Sequence, residues 1–469
     1  MEESFFIAMN KNILKNIIIC VLVAACLYQM NGFWFGGSPG HSLFGFLAVR
    51  NGQPNGAEAA GMLVTPSRIA VSVGEDKYSI RYNNLAASRI KLEIDSVLTE
   101  LFQSGEFVRS GTVDWNGILS RMVIIYEYKF MMPSGVFADY WGPRTSLLTS
   151  RTDSFDRVII IPGEDGGEVT AVIFTGNGLY CEYEIKGSGV NERLNDAMKN
   201  ERARFFDIYY VSSRQKGYTA EENLFIAESK KEIYYDNVMN INPYMTDGSV
   251  LPGQVEKKVD FLFDNPERKW TGVQNSFSYT DEDTVVRYYP SRVLEYLNYK
   301  IPERSANTME SAFAAAVGII GRDPEVRNEY YLAEYRKDGE EWTFSFDYAI
   351  NDFPLLLPMN LREAAVLDME HSMEVTVEDG KVSKYRRYVC YFENEDPNTV
   401  KDEEDEVEIN FVKTAENEFG FAEGEDNDIK NIELAYKIEE DNLLYLYWFI
   451  ETGENSFVCP VRQFFEVPQ

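Results

Sequence analysis

Two serine–lysine spacings come nearest to naming a reaction. Ser88-Arg89-Ile90-Lys91 and Ser213-Arg214-Gln215-Lys216 both fit S-x-x-K, in which a lysine activates a serine hydroxyl for acyl transfer. That chemistry also needs a K-T-G stretch, and the nearest approach is Lys413-Thr414-Ala415. Without the partner both spacings read as chance matches. Histidine chemistry is equally thin, because His41 and His371 are the only two in the chain. They exclude a His-rich metal site and leave little for a His-based triad. His371, just ahead of a strand, reads as a strand-edge residue and not as a general base. With 76 Asp and Glu, paired carboxylates occur everywhere and single out no glycosidase site.

One acidic block invites a calcium reading. Between Glu393 and Asp428 the only basic residues are Lys401 and Lys413, and Glu423-Gly424-Glu425-Asp426-Asn427-Asp428 could wrap a cation. It fails the EF-hand spacing, since Lys430 falls on a ligand position, so a solvated loop is expected. No catalytic residue, cofactor or metal is expected. The net charge of −31 excludes nucleic acid, whose phosphates need a basic face, and disfavours docking on anionic lipid. Cys181, Cys390 and Cys459 are too few for a disulfide framework. Buried free thiols are expected, with a Cys390–Cys459 bridge open only if their strands are neighbours.

The element that must position everything else lies at the start. From Asn16 to Phe35 there is no charge, and Ile17 to Leu27 is unbroken apolar sequence. A helix of about 20 such residues reaches across a bilayer's hydrocarbon core. Lys11 and Lys15 precede it, and no basic residue follows until Arg50, so the N-terminus is expected in the cytoplasm and the body outside. Phe33, Trp34 and Phe35 fall where an aromatic belt marks the outer interface. Ala24 and Ala25 give this helix a small-residue face on which another helix can pack, so Ala24, Ala25 and Trp34 are candidate partner-binding residues. Val23-Ala24-Ala25-Cys26 also has the form of a lipobox, so lipidation at Cys26 stays open as a rival to the uncleaved anchor. Met9 is an alternative start to Met1.

Behind the anchor (1–36) and a Gly/Ser/Asn/Pro-rich spacer (37–61), the 45% hydrophobic content is enough to fill sizeable cores. Alternating runs, turn signals and occasional helical periods predict an α+β fold of antiparallel sheets with packed helices. Asn242-Pro243-Tyr244 and Pro252-Gly253 mark a boundary, giving a first unit at 62–245. A second unit, 246–360, opens with one amphipathic helix that puts Val255, Val259, Leu262 and Phe263 on a face. A third, 361–469, carries the acidic segment 393–428 and opens with a hairpin at Asp379-Gly380. Ala312 to Gly321 is apolar but too short to span, and it reads as a packed helix. Tyr288 and Tyr296, on consecutive strands, are candidate interface residues or part of a packed sheet face.

Several stretches resemble the YycH/YycI family of membrane-tethered regulators. Leu27-Tyr28-Gln29 with Phe33-Trp34-Phe35-Gly36 is similar to the family's exit from the anchor. Val285-Val286-Arg287-Tyr288-Tyr289-Pro290 with Val293 to Tyr299 resembles its central strand pair, and Phe261 to Pro266 the helix end before it. Ile432 to Ile438 with Tyr447-Trp448-Phe449-Ile450 resembles its closing strands, and the length is nearer to the larger, YycH, member. The exit tract reads Phe-Trp where the family has Leu-Trp, and the acidic segment is heavier. The resemblance implies no catalysis. It implies control, by binding, of a membrane sensor histidine kinase governing cell-wall homeostasis in Gram-positive bacteria, together with a YycI-like companion. The rival readings are an extracytoplasmic binding lipoprotein and, further off, a cell-wall enzyme.

Overall fold

The chain sets its pattern early, with a short helix followed by a hairpin. In the computed structural model, helix α1 (Gly56–Leu63) leads into β1 (Arg68–Gly74) and β2 (Lys77–Tyr82). The structure describes residues 56–461 except 75, 83–88, 142–149, 164–166, 176–177, 187–188, 204–207, 214–224, 230–232, 235–237, 247–248, 265, 267–269, 274–275, 301–307, 327–328, 351–352, 358–368, 395–405, 408, 412–428, 440–441 and 453–455. Asp76 closes the first turn at φ 56°, a left-handed conformation that Asp tolerates better than most residues.

The first sheet adds β3 (Glu106–Thr112), β4 (Ile124–Pro133), β5 (Ser154–Ile161), β6 (Val169–Phe174), β7 (Leu179–Ile185), β8 (Ile208–Ser212) and β9 (Phe225–Ser229). Its nine strands run β3-β7-β6-β5-β4-β1-β2-β8-β9, and every pairing is antiparallel. Helix α2 (Arg89–Ser104) buries Ile90, Ile94, Val97, Leu98 and Leu101, the 3.6-period stripe of its sequence. Gly105 follows its last turn, where a Cβ would lie 2.6 Å from the Leu101 carbonyl oxygen and a larger residue would not fit without a shift. Two short helices, α3 (Trp115–Leu119) and α4 (Ser134–Trp141), have no clear helical period in the sequence. Helix α5 (Val190–Ala203) packs with α2 on this sheet.

The second sheet begins with β10 (Val238–Ile241) and, beyond helix α6 (Pro252–Lys258), runs through β11 (Trp270–Val273), β12 (Phe277–Thr280), β13 (Thr284–Tyr288) and β14 (Val293–Asn298). Helix α7 (Met309–Arg322) precedes β15 (Glu329–Asp338), β16 (Glu341–Ile350) and β17 (Phe353–Leu356). Then come β18 (Met373–Glu378), β19 (Lys381–Tyr388), β20 (Tyr391–Asn394), β21 (Ile429–Ile438), β22 (Leu443–Thr452) and β23 (Ser456–Pro460). The order is β11-β12-β13-β14-β19-β18-β16-β17-β21-β22-β10-β20, with β15 also on β16 and β23 also on β22. Strands from 246–360 and 361–469 thus hydrogen-bond within one sheet, as β14 does with β19 and β16 with β18. Asp379 (φ 47°) and Gly380 (φ 75°) form the β18–β19 turn that their Asp-Gly sequence predicts.

Mixed α+β architecture with antiparallel sheets is therefore observed; β17–β21 is the one parallel pairing among the described strands. One expectation needs correction. Val255, Val259, Leu262 and Phe263 are all buried, but not from one continuous helix. Val259 leaves the helical region (φ −97°, ψ 1°), so α6 stops at Lys258 and a 3-10 turn, Asp260–Leu262, carries on. Helix α7 starts at a Thr308–Ser311 capping box and buries Ala312, Phe313, Ala316, Val317, Ile319 and Ile320. Among the described residues no helix is long and apolar enough to cross a membrane, and the expected anchor lies outside them.

Candidate binding cleft between the two sheets

The two sheets meet along β4 and β15. Tyr335 Oη donates to the Met131 carbonyl at 3.1 Å, and the Phe130 and Tyr335 rings stack edge-on at 5.3 Å. Ser67 Oγ donates to the Leu332 carbonyl at 3.4 Å. Helix α1, although it precedes the first sheet, packs against α7 of the second. Between these contacts lies a cleft of about 750 Å³, within the usual range for ligand pockets.

Strand periodicity builds its first wall. On β4 the period of two puts Glu127 and Lys129 on the face opposite Tyr126 and Tyr128, whose hydroxyls both donate to the Val64 carbonyl. Register then places Arg68 of β1 and Arg157 of β5 on either side of Glu127. The result is an Arg–Glu–Arg row across three adjacent strands. Arg68 Nε donates to one Glu127 carboxylate oxygen, and Arg157 Nε to the other at 2.8 Å. Burial opposes the charge on Glu127, but the two guanidiniums outweigh it and hold the carboxyl below its usual range. Asp156, beside this row, is pushed up, first by burial and further by Glu127, against the pull of Arg157.

The facing wall comes from β15, β16, β17, β21 and β22. Lys129 reaches across to Glu433 at 3.1 Å and also lies over the Tyr331 ring at 5.6 Å. His371 sits 3.0 Å from Asp347 and 3.6 Å from Glu334. Burial alone would lower the His371 pKa, yet Asp347, with help from Glu334 and Glu374, raises it to about 9. His371 is therefore charged at neutral pH. A cationic imidazole has no lone pair left to take a proton, and here it is held by the carboxylates around it.

Over 85% of its length this chain is similar to 96% of the crystal structure of YycH from Bacillus subtilis, with TM-score 0.50 and 13% identity. The chain has a YycH-like fold. The Bacillus megaterium YpeB C-terminal domain is also matched, at TM-score 0.24 and 11% identity, across 45% of this chain and 92% of that domain. No family model and no curated protein matches the sequence.

Within the YycH-like fold the candidates from the sequence are scattered. Ala24, Ala25, Cys26, Trp34, His41 and the loop at 423–428 lie outside the described residues. Tyr288 and Tyr296 are 3% and 7% exposed, so within this chain both pack in the sheet and present no ring to solvent. Tyr288 Oη accepts from Asn242 Nδ2 at 2.9 Å. Lys91 of the first serine–lysine spacing is buried against Asp95 at 2.6 Å, and Ser213 of the second is fully buried. Cys181, Cys390 and Cys459 are buried free thiols. Of the candidates among the described residues, only His371 lines the cleft. Sequence reasoning missed the rest of it: Arg68, Glu127, Lys129, Arg157 and Glu433. A signal was there, since Glu127 and Lys129 interrupt an otherwise apolar strand, which charges do only when something on that face receives them.

Proposed function

We propose that this protein is a non-enzymatic regulator that acts by binding, and that its target is a membrane sensor histidine kinase controlling cell-wall homeostasis. The YycH-like fold over most of the chain carries this reading, together with the sequence resemblance that runs from the anchor to the closing strands. The body stands outside the membrane on a single N-in helix, and a YycI-like companion shares the complex. Regulation of this kind needs differential contact with two kinase states, which shifts their populations. Ala24 and Ala25 provide a helix face for that contact.

Crosslinking of the full chain in its native membrane, followed by mass spectrometry of what is captured, tests the proposal. Capture of a histidine kinase that disappears with Ala24→Leu supports it. Capture only of wall fragments or transport components rejects it. The lipobox at Val23–Cys26 sustains a second reading, a binding lipoprotein, which uptake of labelled fatty acid at Cys26 would establish.

A further inference from the structure

We infer that an apolar groove between α4 and α7 is the seat of the chain's own segment 43–49, which holds the stretch leaving the anchor against the body. The spacer ahead of the body is not uniform in composition. Between a Gly/Ser/Pro tract at 36–42 and a polar tract at 50–55 stands Leu43-Phe44-Gly45-Phe46-Leu47-Ala48-Val49, six apolar residues and a glycine. A run of this kind is stabilised by taking its side chains out of water, and a flexible linker has no use for it.

The groove has a volume of about 390 Å³. Pro133, Val136 and Ala138 form one side, Met309 and Trp342 the other, and Glu310 is the one charged residue lining it. Gly135 lines the same space and is exposed, and a Cβ built on it meets nothing within 4 Å, so the groove is open there. Apolar walls around a space of this size suit a few side chains, not a folded partner. The described chain begins beside it. Helix α1 touches both helices of the groove: it packs on α7, and a Cβ on Gly61 would stand 3.1 Å from the Tyr140 hydroxyl of α4. From Val49 to Gly56 the chain takes seven steps, which span up to about 25 Å when extended. Helices α1 and α4 have eight residues each and are about 12 Å long, so segment 43–49 is within reach of the groove. Charge agrees with this seat. Arg50 directly follows the run and is the first basic residue after Lys15, while Glu310 makes no ion pair among the described residues. A run seated with its Val49 end toward α7 brings these opposite charges together at the rim.

Photocrosslinking of the full chain in nanodiscs, with Phe46→p-benzoylphenylalanine and mass spectrometry of the adducts, reads the seat directly. Adducts on 133–138, 309–310 or 342 are expected. Gly135→Leu fills the groove from a position where the added side chain meets open space, and it should cut their yield at least fivefold. Arg50→Glu should lower the same yield at least twofold, and adding Glu310→Arg should restore it. Mixing isotopically light and heavy chains assigns each adduct to one chain or two. Adducts between two chains, adducts only to lipid or elsewhere on the body, or a yield unchanged in a Gly135→Leu protein that melts like the wild type would overturn the inference. The result depends neither on the kinase reading nor on lipidation at Cys26, since segment 43–49 follows the anchor in either case.

Discussion

Two buried charge arrangements in this molecule are alike in chemistry and differ in surroundings. Arg68–Glu127–Arg157 lines the cleft between the sheets, whereas Asp323–Arg387 lies under α7 with both side chains at 0% exposure and 2.9 Å apart. Arg387 also donates to the Glu325 carbonyl at 3.4 Å, and Tyr385 Oη to Asp323 at 3.4 Å. Among the described residues the enclosed pair meets buried groups of its own core, at the junction of α7 and β19. The row in the cleft meets space that a second molecule can enter. Burial alone therefore does not mark a candidate functional charge; adjacency to a cavity is the further criterion.

Breaking the enclosed pair gives the largest effect. Arg387→Ala strands the Asp323 carboxylate in the core and is expected to destabilise by about 3–5 kcal/mol, read from the shift of the urea midpoint. A loss below about 1 kcal/mol would contradict its role in the core. Glu127→Gln comes next. It leaves Arg68 and Arg157 facing a neutral amide, at a cost of about 2–3 kcal/mol, less than for Arg387 because the cleft admits water to the freed guanidiniums. A midpoint that falls as far as in Arg387→Ala would remove the distinction between the two sites.

The third prediction concerns pH. His371 has its folded pKa raised from 6.5 to about 9, so its stabilisation is complete below 6.5 and is lost as pH rises through about 9. The melting temperature of the wild type should therefore fall between pH 6.5 and 9 by more than that of His371→Gln. Parallel curves would show that Asp347 and Glu334 do not hold the imidazolium. Glu127 works in the opposite sense, since its lowered pKa contributes stability that disappears on acidification. Smallest is Lys129→Met. Its ion pair with Glu433 is one-third exposed at the lysine, and the change is expected to shift stability by less than about 1 kcal/mol. A larger loss would make this link between the sheets a structural one.

What the sequence disclosed follows from the range of the interactions involved. Local rules placed the hairpin at Asp379-Gly380, the stripe of α2 and the apolar helix α7, because turn chemistry and periodicity act within a few residues. The cleft is a product of register. Arg68, Glu127 and Arg157 become neighbours only after β1, β4 and β5 align, and Glu433 reaches Lys129 from 304 positions away. Nothing local to any of them specifies that meeting. Tyr288 and Tyr296 illustrate the converse: their β-strand setting was legible, but whether the rings faced a neighbour or the core depended on the strands on either side.

Helix α1 is where a mechanical consequence follows. Its Ala59 and Leu63 are buried, and a Cβ on Gly61 would stand 3.1 Å from the Tyr140 hydroxyl of α4. The same helix rests on α7, and the residues just after it, Ser67 and Arg68, form part of the cleft rim. Helix α1 thus touches elements of both sheets at the point where the described chain begins. The α1–α7 contact therefore stands between a pull on the preceding chain and the second sheet.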